Sequence, residues 1–130
     1  MKSLQKAAEV VGVVSWGRAP NNSGSYNSWP HKTGFFRDGG EYIRFYRRFF
    51  LNWYSKVLID HVDRVLAMAN LAVEDFLIAA KLFGIYWWFK TASHAAEQSA
   101  RYYVLSHRDG YASIAAMLKQ HEAALNFTCV

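Results

Sequence analysis

The chain has 130 residues, one domain's worth, and its 52% hydrophobic and 17% aromatic content is enough to bury a core, which excludes global disorder. Fifteen Lys and Arg against ten Asp and Glu give a formal charge of +5, yet only Arg44, Arg47 and Arg48 cluster. Blocks of about five or six like charges mark a nucleic-acid tail, so this charge reads as solvated surface and no nucleic-acid partner is expected.

Ser3 is placed to cap a first helix over residues 3–12, in which Leu4, Ala7, Ala8 and Val11 recur at helical spacing and Gly12 ends the run. Lys6 and Glu9 fall where a secretory leader needs an apolar stretch, so no leader is expected. Residues 13–40 hold both prolines and many Gly, Asn and Ser, and read as one long loop. Loops beyond about 15 residues are usually functional or disordered. Trp16, Tyr26, Trp29, Phe35 and Phe36 argue here for an ordered loop packed on something.

Residues 41–70 carry a helical pattern, with Ile43, Tyr46, Phe50, Trp53, Tyr54, Val57, Leu58, Val62, Val65, Leu66 and Ala69 mostly three or four apart. Arg47, Lys56, Asp60, Asp63 and Arg64 take the other side, and the pattern fits one helix or two. Residues 76–86, FLIAAKLFGIY, form a continuous apolar run of the kind found in buried parallel strands. The wider apolar window, 70–89, is broken by Glu74, Asp75 and Lys81, and a membrane span needs about 18 unbroken apolar residues. No membrane partner is therefore expected, and the chain reads as soluble.

Helices follow within 94–119, interrupted by a turn at Ser106-His107-Arg108-Asp109-Gly110, and residues 124–130 read as a second strand. Strand, helical crossover and strand make a parallel βαβ unit. The one cysteine, Cys129, excludes an internal disulfide and suits a reducing, intracellular compartment.

Lys81 places a cation within an apolar strand. Either its stem packs and its ammonium reaches water, or it stands at the mouth of a sheet where α/β folds bind ligands. Trp87 and Trp88 are core residues by type, but they follow a strand's C-terminal end, where flat faces stack on sugars. Asn126 and Thr128 share one strand face by the two-residue period and need partners if buried. The five histidines make no metal-ligand pattern, and His94 with Glu97 is too small a set for one. No phosphate loop, nucleophile elbow or Cys-x-x-Cys pair is present, so no metal or cofactor is expected.

The run GIYWWFKTASHAAE, residues 84–97, resembles the segment of plant β-amylases that reads Gly-(Ile/Val)-His-Trp-Trp-Tyr-Lys-(Thr)-x-Ser/Asn-His-Ala-Ala-Glu. The likeness extends through Arg108-Asp109-Gly110-Tyr111 and Leu125-Asn126-Phe127-Thr128-Cys129, and upstream through Tyr26-Asn27-Ser28-Trp29-Pro30-His31 and Phe49-Phe50-Leu51-Asn52-Trp53-Tyr54-Ser55. It covers essentially the whole chain. The resemblance implies an inverting glycoside hydrolase that releases maltose from the non-reducing ends of α-1,4-glucans such as starch, on a (β/α)₈ barrel. It also implies a plastid or cytoplasmic setting.

On that resemblance residues 76–86 are the fifth barrel strand and 124–130 enter the sixth. Lys81 matches a glucan-contacting lysine, Trp87 lies in the sugar-binding wall, and Asn126 and Thr128 open an inner loop, with Thr128 touching substrate. Tyr86 departs from the pattern, standing where the family has a substrate-contacting histidine; it keeps one donor but changes charge and geometry. Both catalytic glutamates of the family fall outside the matched segments, so no catalytic residue is expected in this chain. Glu97 and Glu122 lie on helix-like segments away from the strand mouths. A barrel takes about 250 residues, and this sequence supplies an α/β part of one: about two parallel strands, flanking helices and a long aromatic loop. The alternative is a truncated, non-catalytic protein that binds glucan or a regulatory partner.

Overall fold

In a computed structural model, which describes residues 2–25, 27–37, 39–41, 44–73, 76–83 and 109–128, three α-helices and two parallel strands are organised along one long helix. The first helix, α1 (Lys2–Val10), buries Leu4 and Ala8 and leaves Lys6 and Glu9 exposed. Its end is a Schellman closure: Gly12 sits at φ 76°, its N–H bonds the Glu9 carbonyl at 2.9 Å, and the Val13 N–H reaches back to Ala8 at 3.0 Å. That left-handed residue is where glycine has no steric penalty. Ser3 lies inside the first turn and is not the cap.

Among the described residues of the segment 13–40 the regular structure is two short 3₁₀ turns, Val14–Trp16 and Pro30–Lys32. The loop is packed, though not by all its aromatics. Phe35 is fully buried, stands edge-on to Phe36 with ring centroids 4.4 Å apart, and packs on Leu51. Trp16 tilts over Phe49 at 5.3 Å and Tyr46 at 6.2 Å, and the Tyr46 hydroxyl donates to the Arg18 carbonyl. Trp29, expected to pack, is instead 60% exposed. Tyr26 lies outside the described residues.

The next helix, α2 (Phe45–Ala72), is one uninterrupted element of 28 residues. It contains neither Gly nor Pro, so nothing breaks the ladder of i→i−4 hydrogen bonds. Its two ends bury different cores. Leu51 receives Phe35 from the loop, while Leu66, 15 positions on and so about 22 Å along the axis, enters a second cluster with Ile114, Met117 and Leu118. Between them the expected apolar stripe is only partly covered: Tyr54, Val57 and Val65 remain exposed.

Strand β1 (Ala79–Phe83) runs parallel to β2 (Ala124–Thr128), connected through α3 (Ala112–Gln120). β1 begins three residues into its apolar run. Phe76 and Leu77 are 75% and 78% exposed and precede the ladder, because the register puts them opposite His121 and Glu122, which form a turn. Residues 84–86 and 129–130 lie outside the described residues, as does the helix expected from residue 94. Among the described residues, no helix is long and apolar enough to cross a membrane and no group of three metal-ligating side chains occurs.

Candidate functional site

Ile78, Ala80 and Leu82 pack against the cluster of Leu66, Ile114, Met117 and Leu118, so the helices cover that face of β1. Side chains alternate across a strand, and Lys81 therefore stands on the opposite face. Register places Lys81 directly across from Asn126 and Phe83 across from Thr128. Residues opposite each other in register share a face, so a cation and an amide are neighbours on the side of the sheet away from α2 and α3. Lys81 and Asn126 are both exposed. The parallel ladder thus joins two residues 45 positions apart that the sequence singled out separately.

What holds β2 in this register comes largely from α2. His121 Nε2 lies 2.7 Å from Asp63 Oδ1, and the Asn70 side-chain amide donates to the His121 carbonyl at 3.2 Å. Ala124 N–H then bonds the Ile78 carbonyl at 2.8 Å, which begins the ladder. Glu122 adopts φ 52° in the turn between these anchors. It is therefore a turn residue at the N-terminal end of β2, and not a helix residue, though still away from the strand's C-terminal end. At the other end of α3 the Asp109 carboxylate accepts the Tyr111 N–H at 2.8 Å. The Tyr111 ring leans on Phe127 at 6.3 Å.

The other charged residues serve the loop and the helix. Arg47 donates to Glu41 at 2.6 Å and its guanidinium lies 4.5 Å from the Tyr46 ring centroid and 5.3 Å from that of Phe35. Burial on its own raises the Glu41 carboxyl, but the Arg47 hydrogen bond and charge, with Asn22 and Arg44, outweigh it and hold the group below its ordinary value of 4.5. A depressed carboxyl contributes stability that is fully present above the unfolded-state value and is lost as pH falls through the folded-state one. Glu41→Gln is accordingly expected to lose part of its disadvantage to the wild type as the pH drops below about 4.5, in urea titrations run at pH 7 and pH 3.5. The Glu41 side chain is 35% exposed, so solvent and salt screen the effect and it belongs at the small end.

Of the residues picked from the sequence, Lys81 and Asn126 are brought together, and Thr128 follows two positions along the same strand. Tyr86 and Trp87 lie outside the described residues. The described carboxylates Glu9, Glu41, Asp60, Asp63, Asp109 and Glu122 belong to helices, loops or turns, and none lies in β1 or β2. A feature that the sequence reading missed is a polar recess within the loop, beside the exposed Trp29, lined by Asn21, Asn22, Asn27, Ser28 and Lys32. The three asparagines around a tryptophan in one loop were its sequence signal.

The whole chain, residues 1–130, matches the family model for glycosyl hydrolase family 14. It is 69% identical over 130 residues to chloroplastic β-amylase 2 of Arabidopsis thaliana, covering 100% of this chain and 24% of that protein. Against chloroplastic β-amylase 2 of Oryza sativa subsp. japonica the identity is 46% over 134 residues, covering 100% and 24%. Against the β-amylase of Glycine max it is 48% over 133 residues, covering 100% and 27%. The chain spans about a quarter of the length of these curated relatives.

Proposed function

The chain belongs to glycosyl hydrolase family 14, and on that premise we propose that it serves the hydrolysis of α-1,4-glucosidic bonds in starch-type glucans, with maltose released from non-reducing ends and inversion at the anomeric carbon. The observation that carries this reading is the pairing of Lys81 with Asn126 on the sheet face away from the helices. In a (β/α)₈ barrel the helices cover the outside and the substrate binds at the C-terminal ends of the strands. Two adjacent parallel strands with the described helices α2 and α3 packed on one face are what a segment of such a barrel contains. Lys81 and Asn126 then line the glucan-binding side, and Tyr86, Trp87 and Thr128 join them as glucan contacts on the strength of the family resemblance alone.

Each residue has a definite chemical part in that arrangement. The Lys81 ammonium offers three donors to sugar hydroxyls, and the Asn126 amide offers two donors and an acceptor. Thr128 adds a hydroxyl one step further along the strand. An inverting mechanism also needs an acid and a base about 6.5–9.5 Å apart with a water between them. No described carboxylate occupies β1 or β2, so these residues bind and orient the glucan, and the proton transfers belong to carboxyls elsewhere. That observation also favours the second reading, in which these 130 residues by themselves bind glucan without cleaving it. The word chloroplastic in the names of two relatives favours a plastid setting.

Affinity electrophoresis through amylopectin gels tests the binding role. Lys81→Ala is expected to relieve the retardation of the chain by at least tenfold in apparent affinity, about 1.4 kcal/mol, with Asn126→Ala weaker in effect. Equal migration of wild type and Lys81→Ala in these gels would sink the assignment. Maltose release from soluble starch by the chain above the level of Lys81→Ala would overturn the division between binding and catalysis.

A further inference from the structure

We propose that the recess beside Trp29 is a second carbohydrate-binding site, taking one neutral pyranose ring of a maltooligosaccharide, separate from the Lys81–Asn126 face of the sheet. The recess has a volume of about 470 Å³, within the range of about 300–1,000 Å³ typical of ligand pockets, and lies entirely in the loop segment 21–34. Trp29 forms one wall and is 60% exposed, although an indole of that size usually buries its face. The amides of Asn21, Asn22 and Asn27, the Ser28 hydroxyl and the Lys32 ammonium complete the described lining.

The shape is held before any ligand arrives. Gly24 sits at φ 82°, and a Cβ there would meet Ser28 and Thr33 atoms at 2.7 Å, so the chain folds tightly around that point. Ser28 Oγ accepts the Ser25 N–H at 2.8 Å, the Lys32 N–H bonds the Trp29 carbonyl at 2.9 Å, and the Phe35 N–H bonds the Asn22 carbonyl at 3.1 Å. Since Phe35 is fully buried against Leu51, the far side of the loop is anchored in the core. A recess fixed in this way costs little ordering on binding.

The lining selects the class of ligand. A flat indole offers an apolar surface to the axial C–H face of a pyranose, and amides present donors and acceptors together, as the ring hydroxyls do. The described lining has no carboxylate to hold a cation. The Lys32 ammonium is the one formal charge in the described lining, and the rest is amide and hydroxyl. A neutral polyol meets all of these groups, and a glucosyl unit is the one that the proposed substrate would deliver.

Calorimetric titration of the chain with maltotriose, in Lys81→Ala, Trp29→Ala and the double variant, separates this site from the one on the sheet. Lys81→Ala is expected to keep a maltotriose interaction that weakens at least tenfold when Trp29→Ala is added and that Trp29→Phe largely restores. Because Trp29 is mostly exposed, its replacement leaves the core intact, which unchanged far-ultraviolet dichroism checks. Complete loss of binding in Lys81→Ala alone overturns the loop site and leaves the sheet site standing. Complete loss in Trp29→Ala alone supports the loop site and removes the sheet reading. Heat on titrating inorganic phosphate that competes with maltotriose at Trp29 overturns the assignment to a neutral ring.

Discussion

Replacing Phe35 with alanine is expected to destabilise the chain by about 3–5 kcal/mol, the usual cost of emptying a fully buried phenylalanine site. Among the described residues Phe35 is the largest side chain with no exposed surface, and it is the contact through which the loop reaches Leu51 of α2. Its ring also receives Arg47 at 5.3 Å and stands edge-on to Phe36. Truncation removes the dispersion contacts of the ring and leaves a cavity bounded by residues already fixed by their own hydrogen bonds, so collapse recovers little. Urea unfolding gives the magnitude. A loss below about 1 kcal/mol would mean that the loop is not packed as described. The same variant should raise the exposure of the loop to proteolysis before the rest of the chain, because the Phe35 ring is the loop's buried contact with Leu51.

The second large effect is expected from Leu66→Ala, at about 2–5 kcal/mol. Leu66 is the residue of α2 that enters the cluster of Ile114, Met117 and Leu118, against which Ile78, Ala80 and Leu82 pack. Removing it loosens α2 from α3 and β1 together, and so disturbs the strand register that pairs Lys81 with Asn126. Leu66→Ala should therefore lower glucan retention as well as the urea midpoint, whereas Phe35→Ala should affect the midpoint while sparing the Lys81 face. Parallel loss of glucan retention in both variants would argue that the two ends of α2 fold as one unit. The helix makes the separation sensible, since its two buried anchors are about 22 Å apart by helical rise.

Other contacts look prominent and are expected to matter less. The Lys56–Asp60 pair at 2.9 Å is an exposed i,i+4 bridge, worth a few tenths of a kcal/mol. The His121–Asp63 contact is different in kind, because the histidine side chain is only 10% exposed and the pair joins α2 to the turn that launches β2. Its importance is in position more than in charge.

Some of the described elements follow from local signals. The helical spacing of Leu4, Ala7, Ala8 and Val11 with Gly12 beyond is a local signal, and the glycine closes the helix by a backbone conformation that depends on no distant residue. The absence of Gly and Pro from residues 45–72 likewise permits one continuous helix, although the apolar pattern left open whether there were two. Strand ends were less legible. Residues 76–78 are as apolar as those that follow, and they stay outside the strand because the residues opposite them, 121–123, form the turn before β2.

What the sequence determined by itself is the chemistry available and the family: a lysine in an apolar run, an amide and a hydroxyl two residues apart, and long aromatic runs that match glycosyl hydrolase family 14 across residues 1–130. Tertiary structure decided which of those groups meet. Lys81 faces Asn126 because a parallel ladder fixes register through hydrogen bonds between segments 45 residues apart. It faces away from the helices because Ala80 and Leu82 are the members of β1 that Leu66, Ile114 and Met117 bury. Trp29 and Phe35 are six residues apart in one loop, yet one ends in solvent and the other in the core. No local pattern separates them, since burial depends on where Leu51 stands, and that is a property of the folded chain.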